Sequence, residues 1–261
     1  PSTLDGTAFV NANMNRAQFP NSSISGTLYF YAHSLAMNAD GTFPTGTNYS
    51  TWNLGGYSLA SGSNEIPNGI IQVGQGFFVQ VLNPTGTDNE YITWNNSMRV
   101  GNTGNQFFRT ANQTNSEIER HRIWLNLTGS EGAAFNQIMI GYITGTTLGV
   151  DPGYDGLAFG NSGSYISTRI ADEDYVIQAR PLPFEASDIV PVVFHAATSG
   201  TYAISLSNMD GMFSENQDVY LKDNVSGTLH NLKSGSYTFS AAAGTFTNRF
   251  EVVYQNALST P

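Results

Sequence analysis

Three stretches of this chain carry enough side-chain oxygen to hold a hard cation. Asn208-Met209-Asp210-Gly211, followed by Glu215 and Asp218, forms the densest of them. Calcium takes about six to eight oxygens at roughly 2.3–2.6 Å, and a short loop can converge them. The spacing is not that of an EF-hand, because the closing glutamate is misplaced. Asp151 with Asp155 is a second candidate, and Asp172-Glu173-Asp174 is a third. Adjacent acids on a tight turn read first as a solvated loop. The calcium expectation therefore rests on Asn208, Asp210, Glu215 and Asp218. A different chemistry is offered by Tyr49, Trp52, Tyr57 and Tyr154, which fall in loop-like sequence. Exposed rings stack on sugar faces; the alternative has these rings tucked onto a sandwich edge.

Catalytic constellations are not visible. His33, His121, His195 and His230 make no metal-ligand spacing with one another, and His195 sits inside the apolar run Val192-Val193-Phe194-His195-Ala196. There is no Gly-x-Ser-x-Gly elbow. A glycosidase needs two carboxylates facing each other across a cleft at roughly 5–9 Å, and no sequence pattern here sets up such a pair. The expectation is a protein that is not an enzyme.

Composition narrows the class further. The 261 residues are 40% hydrophobic and 12% aromatic but only 11% charged, less than half the usual quarter of a soluble protein. Gly, Ser, Thr and Asn supply the surface polarity instead, as in extracellular β-rich proteins. The net charge is −10, from ten Lys+Arg against twenty Asp+Glu. No basic cluster is present to neutralise phosphates, which argues against nucleic acid and anionic membrane surfaces as partners. With no cysteine, disulfides and thiolate metal sites are excluded. No apolar run reaches membrane-spanning length, and Pro1-Ser2-Thr3-Leu4-Asp5 lacks the features of a signal peptide. An exported protein would carry its export signals outside this chain.

The elements that must position these residues read as strands. Alternating runs occur at Thr27–Ala32, Ile70–Leu82 (bent at Gly74 or Gly76), Tyr91–Trp94, His121–Leu127, Asn136–Thr144, Tyr165–Ile170, Tyr175–Ala179 and Ile189–Ala196. More follow at Tyr202–Leu206, Val219–Lys222, Thr228–Leu232, Ser236–Ser240 and Arg249–Tyr254. Period-two alternation with Gly-rich turns points to antiparallel sandwiches. A short helix is allowed within residues 4–19, capped by Asp5, with Ala8, Phe9, Ala12 and Met14 as its apolar stripe. Met37–Asn64 and Gly145–Ser164 read as long loops. The polar run Arg109–Glu117 suggests a boundary between Phe108 and Ile118. The predicted fold is all-β, as two tandem antiparallel β-sandwich modules of the jelly-roll or immunoglobulin-like kind. They would span residues 1–112 and 113–256, with 257–261 as a linker. One large β-sandwich is the alternative.

Several short motifs follow one another along the chain. Tyr220-Leu221-Lys222-Asp223, Gly235-Ser236-Tyr237-Thr238-Phe239 and Arg249-Phe250-Glu251-Val252-Val253-Tyr254 close it. Pro1–Asp5, Ser25–Tyr31, Gly74-Gln75-Gly76-Phe77-Phe78-Val79, and Asn96–Arg99 with Phe107-Phe108-Arg109 precede them. Together these resemble the β-sandwich region of large secreted surface and adhesin proteins of Bacteroidota (Flavobacterium-like). In that family the region lies just ahead of the C-terminal sorting domain of type IX secretion. The resemblance implies a β scaffold at the cell surface, with residues 257–261 leading toward a sorting domain.

On this reading the chain is a non-enzymatic structural or adhesive module of a secreted or cell-surface bacterial protein. A carbohydrate-binding module using Trp52, Tyr49, Tyr57 and Tyr154 is the first alternative, and an accessory part of a secreted hydrolase the second. The chain begins inside the family's opening motif. A module lacking its first strand exposes an edge that another segment or copy could fill by strand addition, making it a subunit of a surface polymer or filament. The expected partners are thus copies of the same protein and glycans. Calcium is the one expected cofactor.

Overall fold

The computed structural model describes residues 2–14, 24–32, 34, 41, 47–82, 91–101, 118–129 and 135–256. Most of the boundary expected between Phe108 and Ile118, the linker 257–261 and His33 lie outside these residues. Among the described residues the fold is all-β apart from one α-helix and short 3-10 turns. The N-terminal elements are β1 (Thr3–Asp5), α1 (Gly6–Met14), β2 (Ile24–Tyr31), β3 (Tyr49–Trp52), β4 (Tyr57–Ser58), β5 (Ile70–Ile71), β6 (Phe78–Val81) and β7 (Arg99–Val100). They form a three-stranded sheet ordered β5-β1-β7 and a four-stranded sheet ordered β4-β3-β2-β6.

The remaining strands are β8 (Arg120–Gly129), β9 (Phe135–Ile143), β10 (Gly156–Leu157), β11 (Tyr165–Ile170), β12 (Glu173–Pro181), β13 (Ile189–Ala196), β14 (Gly200–Met209), β15 (Tyr220–Asp223), β16 (Thr228–Asn231), β17 (Tyr237–Ala241) and β18 (Gly244–Val253). They make one large sheet ordered β16-β15-β18-β13-β11-β12-β9-β8-β14-β17, with β10 added beside β12. The sheet folds back until its two ends approach, with the His230 ring of β16 5.5 Å from the Tyr237 ring of β17. The Tyr237 hydroxyl donates to Asp223 Oδ2 (3.0 Å), and His230 Nε2 reaches the Gly235 carbonyl (3.0 Å).

Strand alternation explains the core. On β13, Val190, Val192, Phe194 and Ala196 are buried, while Ile189 and Pro191 face out. Register sets Val190 opposite Val252 and Val192 opposite Phe250, so both strands send their apolar sets to the same side. Phe194 sits among Tyr202, Phe239, Phe246 and Phe250 at centroid distances of 5.1–6.0 Å. This core runs from Ile123 to Tyr254. A second apolar cluster, Phe9, Val10, Ile24, Leu28, Phe30, Ile71 and Met98, belongs to the N-terminal elements.

Four expectations are corrected. Antiparallel pairing fails at one place: β12 runs parallel to β9, Ile177 opposite Met139, because the chain crosses over through β10 and β11 before returning. The two long loops hold strands: β3 and β4 lie within Met37–Asn64, and β10 within Gly145–Ser164. Tyr91–Trp94 is not a strand. Its backbone bonds go to a side chain instead: Thr93 N–H donates to Asn13 Oδ1 (2.7 Å), and Asn13 Nδ2 donates to the Thr93 carbonyl (3.1 Å). The 70–82 run does split in two, with Gly74 at φ +79 between β5 and β6.

The helix forms where the sequence places it. Asp5 Oδ1 accepts from Thr7 N–H (2.8 Å) and Ala8 N–H (3.3 Å), which satisfies two first-turn donors. Phe9 packs in the N-terminal core with Ala8, Ala12 and Met14 at its margin. Val10 and Asn13 complete the buried face.

Candidate functional site

A cleft opens where the N-terminal hairpin meets the large sheet. Its wall begins at β3, which leads into the turn Asn53-Leu54-Gly55-Gly56 and returns as β4. The buried Asn53 side chain closes that turn: its Oδ1 accepts from Gly55 N–H (2.9 Å) and Gly56 N–H (3.1 Å). Both glycines allow close approach, Gly55 to backbone and Gly56 to a methionine side chain. A Cβ on Gly56 would stand 2.5 Å from Met139 Sδ, and one on Gly55 would stand 2.9 Å from the Tyr154 carbonyl oxygen.

The hairpin rests on the outer face of β8 and β9. Along β8, Ile123, Leu125 and Leu127 turn to the core, and Arg120, Arg122, Trp124 and Asn126 alternate onto the other face. Trp124 Nε1 donates to the Tyr57 carbonyl (2.9 Å), and its indole stacks on the Tyr57 ring at 5.0 Å. Arg122 Nη1 donates to the Gly55 carbonyl (3.0 Å). Ser58 Oγ donates to the Gln137 carbonyl (2.6 Å), while Gln137 Oε1 accepts from Leu59 N–H (3.1 Å).

The resulting cavity has a volume of about 480 Å³. Trp52, Asn53, Leu54, Gly56 and Tyr57 form one side, and Arg120, Arg122, Trp124, Asn208 and Asp210 form the floor. Asp5, Thr7 and the segment Ile66-Pro67-Asn68, with Ile70, make the far side. Gly69, at φ +77, lies so close to the Trp52 indole that a Cβ there would fall 2.4 Å from the ring. Asp210 is held on the floor by Arg122: Nε and Nη2 donate to its Oδ2 (2.9 and 2.6 Å), and the Arg122 backbone N–H donates to Oδ1 (2.8 Å). The same guanidinium lies over the Trp124 ring at 5.0 Å. Asn208 Nδ2 donates to the Tyr57 hydroxyl (3.3 Å).

Both predicted residue sets are divided by the fold. Of the four aromatics, Trp52 and Tyr57 line the cleft. Tyr49 points to the opposite face of β3 and joins Tyr31, Phe78 and Phe159 at 4.9–5.8 Å. That group is partly open to solvent, with Tyr31 47% and Phe78 54% exposed. Tyr154 does not line the cleft; its carbonyl packs on Gly55.

Of the expected calcium ligands, Asn208 and Asp210 line the cleft, where Arg122 occupies the carboxylate. Asp218 accepts from the Tyr220 hydroxyl (3.0 Å) and from Asn231 Nδ2 (3.1 Å). Glu215 lies at the exposed end of a 3-10 turn. The four side chains are therefore not brought together. Among the described residues no group of three or more His, Cys, Asp or Glu could hold a metal ion. Asp172-Glu173-Asp174 lies at the β11–β12 turn, with Asp174 paired to Arg169 at 2.7 Å.

Asp151 and Asp155 organise a loop. Asp155 Oδ1 accepts from Ala179 N–H (2.7 Å) and its Oδ2 from Asp151 N–H (2.6 Å). The loop presents Gly153, whose N–H donates to the Ser25 carbonyl (2.7 Å) and whose carbonyl accepts from Leu54 N–H (2.8 Å). Asp155 also lines a smaller cavity of about 200 Å³ that includes Glu173 and Tyr175. Burial pushes its carboxyl up to about 7, against the two N–H bonds that favour the charged form. The folded chain thus holds a proton that the unfolded chain loses near pH 4. The contribution to stability is complete below about pH 4 and is lost as the pH rises through 7. In thermal melts, Asp155→Asn is expected to remove a stability decline on the order of 4 kcal/mol between pH 4 and 8. An unchanged pH slope in the variant would show that Asp155 is ionised throughout.

Arg120, Arg122, Asn53 and Trp124 were not singled out by sequence reasoning. The signal that could have found them is the period-two spacing Arg120-x-Arg122-x-Trp124, which puts two cations and an indole on one strand face.

Fold and cleft together define an all-β protein with an aromatic- and guanidinium-lined cavity between its N-terminal sheets and a large folded-back sheet. The chain belongs to the DUF8693 family, described as a domain of unknown function, which matches residues 1–254. No curated protein and no solved structure matches it.

Proposed function

We propose that this protein is a non-enzymatic adhesive module of a secreted, cell-surface protein, and that it makes its contact by binding a glycan in the cleft. The observation that carries the reading is the pairing of Trp52 and Tyr57 with amide and guanidinium groups in one cavity of about 480 Å³. Sugars present flat C–H faces and a rim of hydroxyls. Aromatic rings suit the first; the amides of Asn68 and Asn208 and the Arg122–Asp210 pair suit the second. The volume falls in the range of small-molecule sites. The low charge, the absence of cysteine and the ordered resemblance to Bacteroidota surface proteins support the location and the link to type IX secretion.

In this reading the two cores are two modules, residues 1–112 and 113–256, clamped at the cleft. A partner strand would add to β6, an outer strand of the four-stranded sheet whose residues Phe78 and Gln80 are exposed. The large sheet is a poorer host, because its edge strands engage each other.

A panel of neutral and acidic oligosaccharides, measured by titration calorimetry, tests the proposal. Micromolar to millimolar binding to at least one is expected. Tyr57→Leu and Asn208→Ala should each weaken it, the aromatic change by about tenfold or more. Thermal melts of both variants separate lost contacts from lost folding. Absence of binding to every member of the panel would overturn the reading.

A further inference from the structure

Most of the described arginines are paired with an aspartate, and of the two that are not, one is partly buried. Four of the six described arginines have an aspartate within 3.0 Å: Arg122 with Asp210, Arg169 with Asp174, Arg180 with Asp188 and Arg249 with Asp223. Arg99 is exposed on β7. Among the described residues Arg120 has no ion-pair partner, and it is not exposed. It is half-buried at the start of β8, it lines the cleft, and its Nε is closed off from solvent with no hydrogen-bond partner. A buried donor left unmade is costly, and a buried charge more so.

The chain has acids in excess, twenty against ten bases, yet none of the described ones forms an ion pair with Arg120. The one carboxylate that acts on it, Asp210, is already held by three donors of Arg122. Alternation along β8 places Arg120 and Arg122 side by side on the same face. Burial first, and then the Arg122 charge, lower the Arg120 pKa from its ordinary value. Both penalties would be relieved by an anion entering the cleft. A planar guanidinium with free donors matches a carboxylate or a sulfate in particular.

We propose that the cleft selects an acidic glycan, and that Arg120 receives the anionic group of the sugar while Trp52 and Tyr57 stack on its ring. This rests on the glycan-binding reading above and specifies its substrate class. The net charge of −10 does not oppose it at working salt, since exposed charges beyond a Debye length of about 8 Å are largely screened at 0.15 M. The local contact then decides affinity.

The test compares three oligosaccharides of matched length by calorimetry at 0.15 M salt: an oligogalacturonate, a sulfated galactan fragment and a neutral cello-oligosaccharide. At least one acidic ligand is expected to bind tenfold or more tighter than the neutral one. Which of the two does so identifies carboxylate or sulfate as the anion. Arg120→Gln should bring that ratio close to one, and Arg120→Lys should keep part of it. A melting temperature of Arg120→Gln equal to or above the wild type would show that the lost preference is not lost folding. Two results overturn the proposal while leaving glycan binding intact: neutral and acidic ligands binding alike, or a ratio unchanged in Arg120→Gln. Failure of all three ligands, and of the wider panel, overturns both.

Discussion

Asp223→Ala is expected to lower the unfolding free energy by about 3–5 kcal/mol, the usual cost of leaving one member of a buried ion pair without its partner. Asp223 and Arg249 have side chains only 1% and 8% exposed. The carboxylate accepts from Arg249 Nη2 (3.0 Å), the Tyr237 hydroxyl (3.0 Å) and Val225 N–H (3.0 Å). The guanidinium lies over Phe239 and Phe250, 4.6 and 4.9 Å from their centroids, and donates to the Ser240 carbonyl (3.1 Å). It thus ties β15, β17 and β18 together where the large sheet folds back. Removing the carboxylate leaves a charge among phenylalanines. The double variant Asp223→Leu with Arg249→Met should recover much of the loss, because it removes both charges. Urea unfolding of the three proteins measures this; a loss under about 1 kcal/mol in Asp223→Ala would contradict it.

The same pair sets an acid limit. Burial pushes the Asp223 carboxyl up, but hydrogen bonds from Arg249, Val225 and Tyr237 and the Arg249 charge outweigh it and hold the group below the ordinary range. Its stabilising contribution is present above about pH 4 and is lost as the pH falls through the depressed value. Asp155 acts in the opposite sense over pH 4–7.

Trp124→Ala is expected to cost about 3–5 kcal/mol and to abolish the proposed glycan binding. The indole is 1% exposed. It carries the Tyr57 stack, the hydrogen bond to the Tyr57 carbonyl and the Arg122 contact. Its removal opens a cavity under the β3–β4 hairpin and frees the wall that holds Trp52 and Tyr57. Trp124→Phe keeps a ring and loses only the N–H, so about 1 kcal/mol is expected, with binding retained. Melts and calorimetry on both variants provide the measurement. Equal binding by wild type and Trp124→Ala would show that the hairpin is positioned by other contacts.

Much of the fold was legible because burial on one sheet face imposes period-two alternation. Ile189–Ala196 and Tyr165–Ile170 were predicted with the ends the structure shows. The helix was legible through Asp5, since a cap acts over three residues. The short strands β3, β4 and β10 were not: two to four residues are too few to show a period, and their pairing is decided by distant partners. Tyr91–Trp94 looked like a strand because its residues suit one, and the buried Asn13 side chain took the place of a neighbouring strand.

The cleft shows the same division more sharply. By itself the sequence determined that the protein is all-β, that its surface carries little charge, and that loops rich in aromatics and in oxygen exist. Those are properties of composition and local period. Only the tertiary structure decided that Trp52 and Tyr57 share a cavity with Asn208 and Asp210, about 150 residues away. It also decided that Asp210 is held by Arg122, and that Arg120 has no carboxylate partner among the described residues. The physical reason is that side-chain convergence across a seam depends on how two sheets pack. Sequence separation carries no record of that.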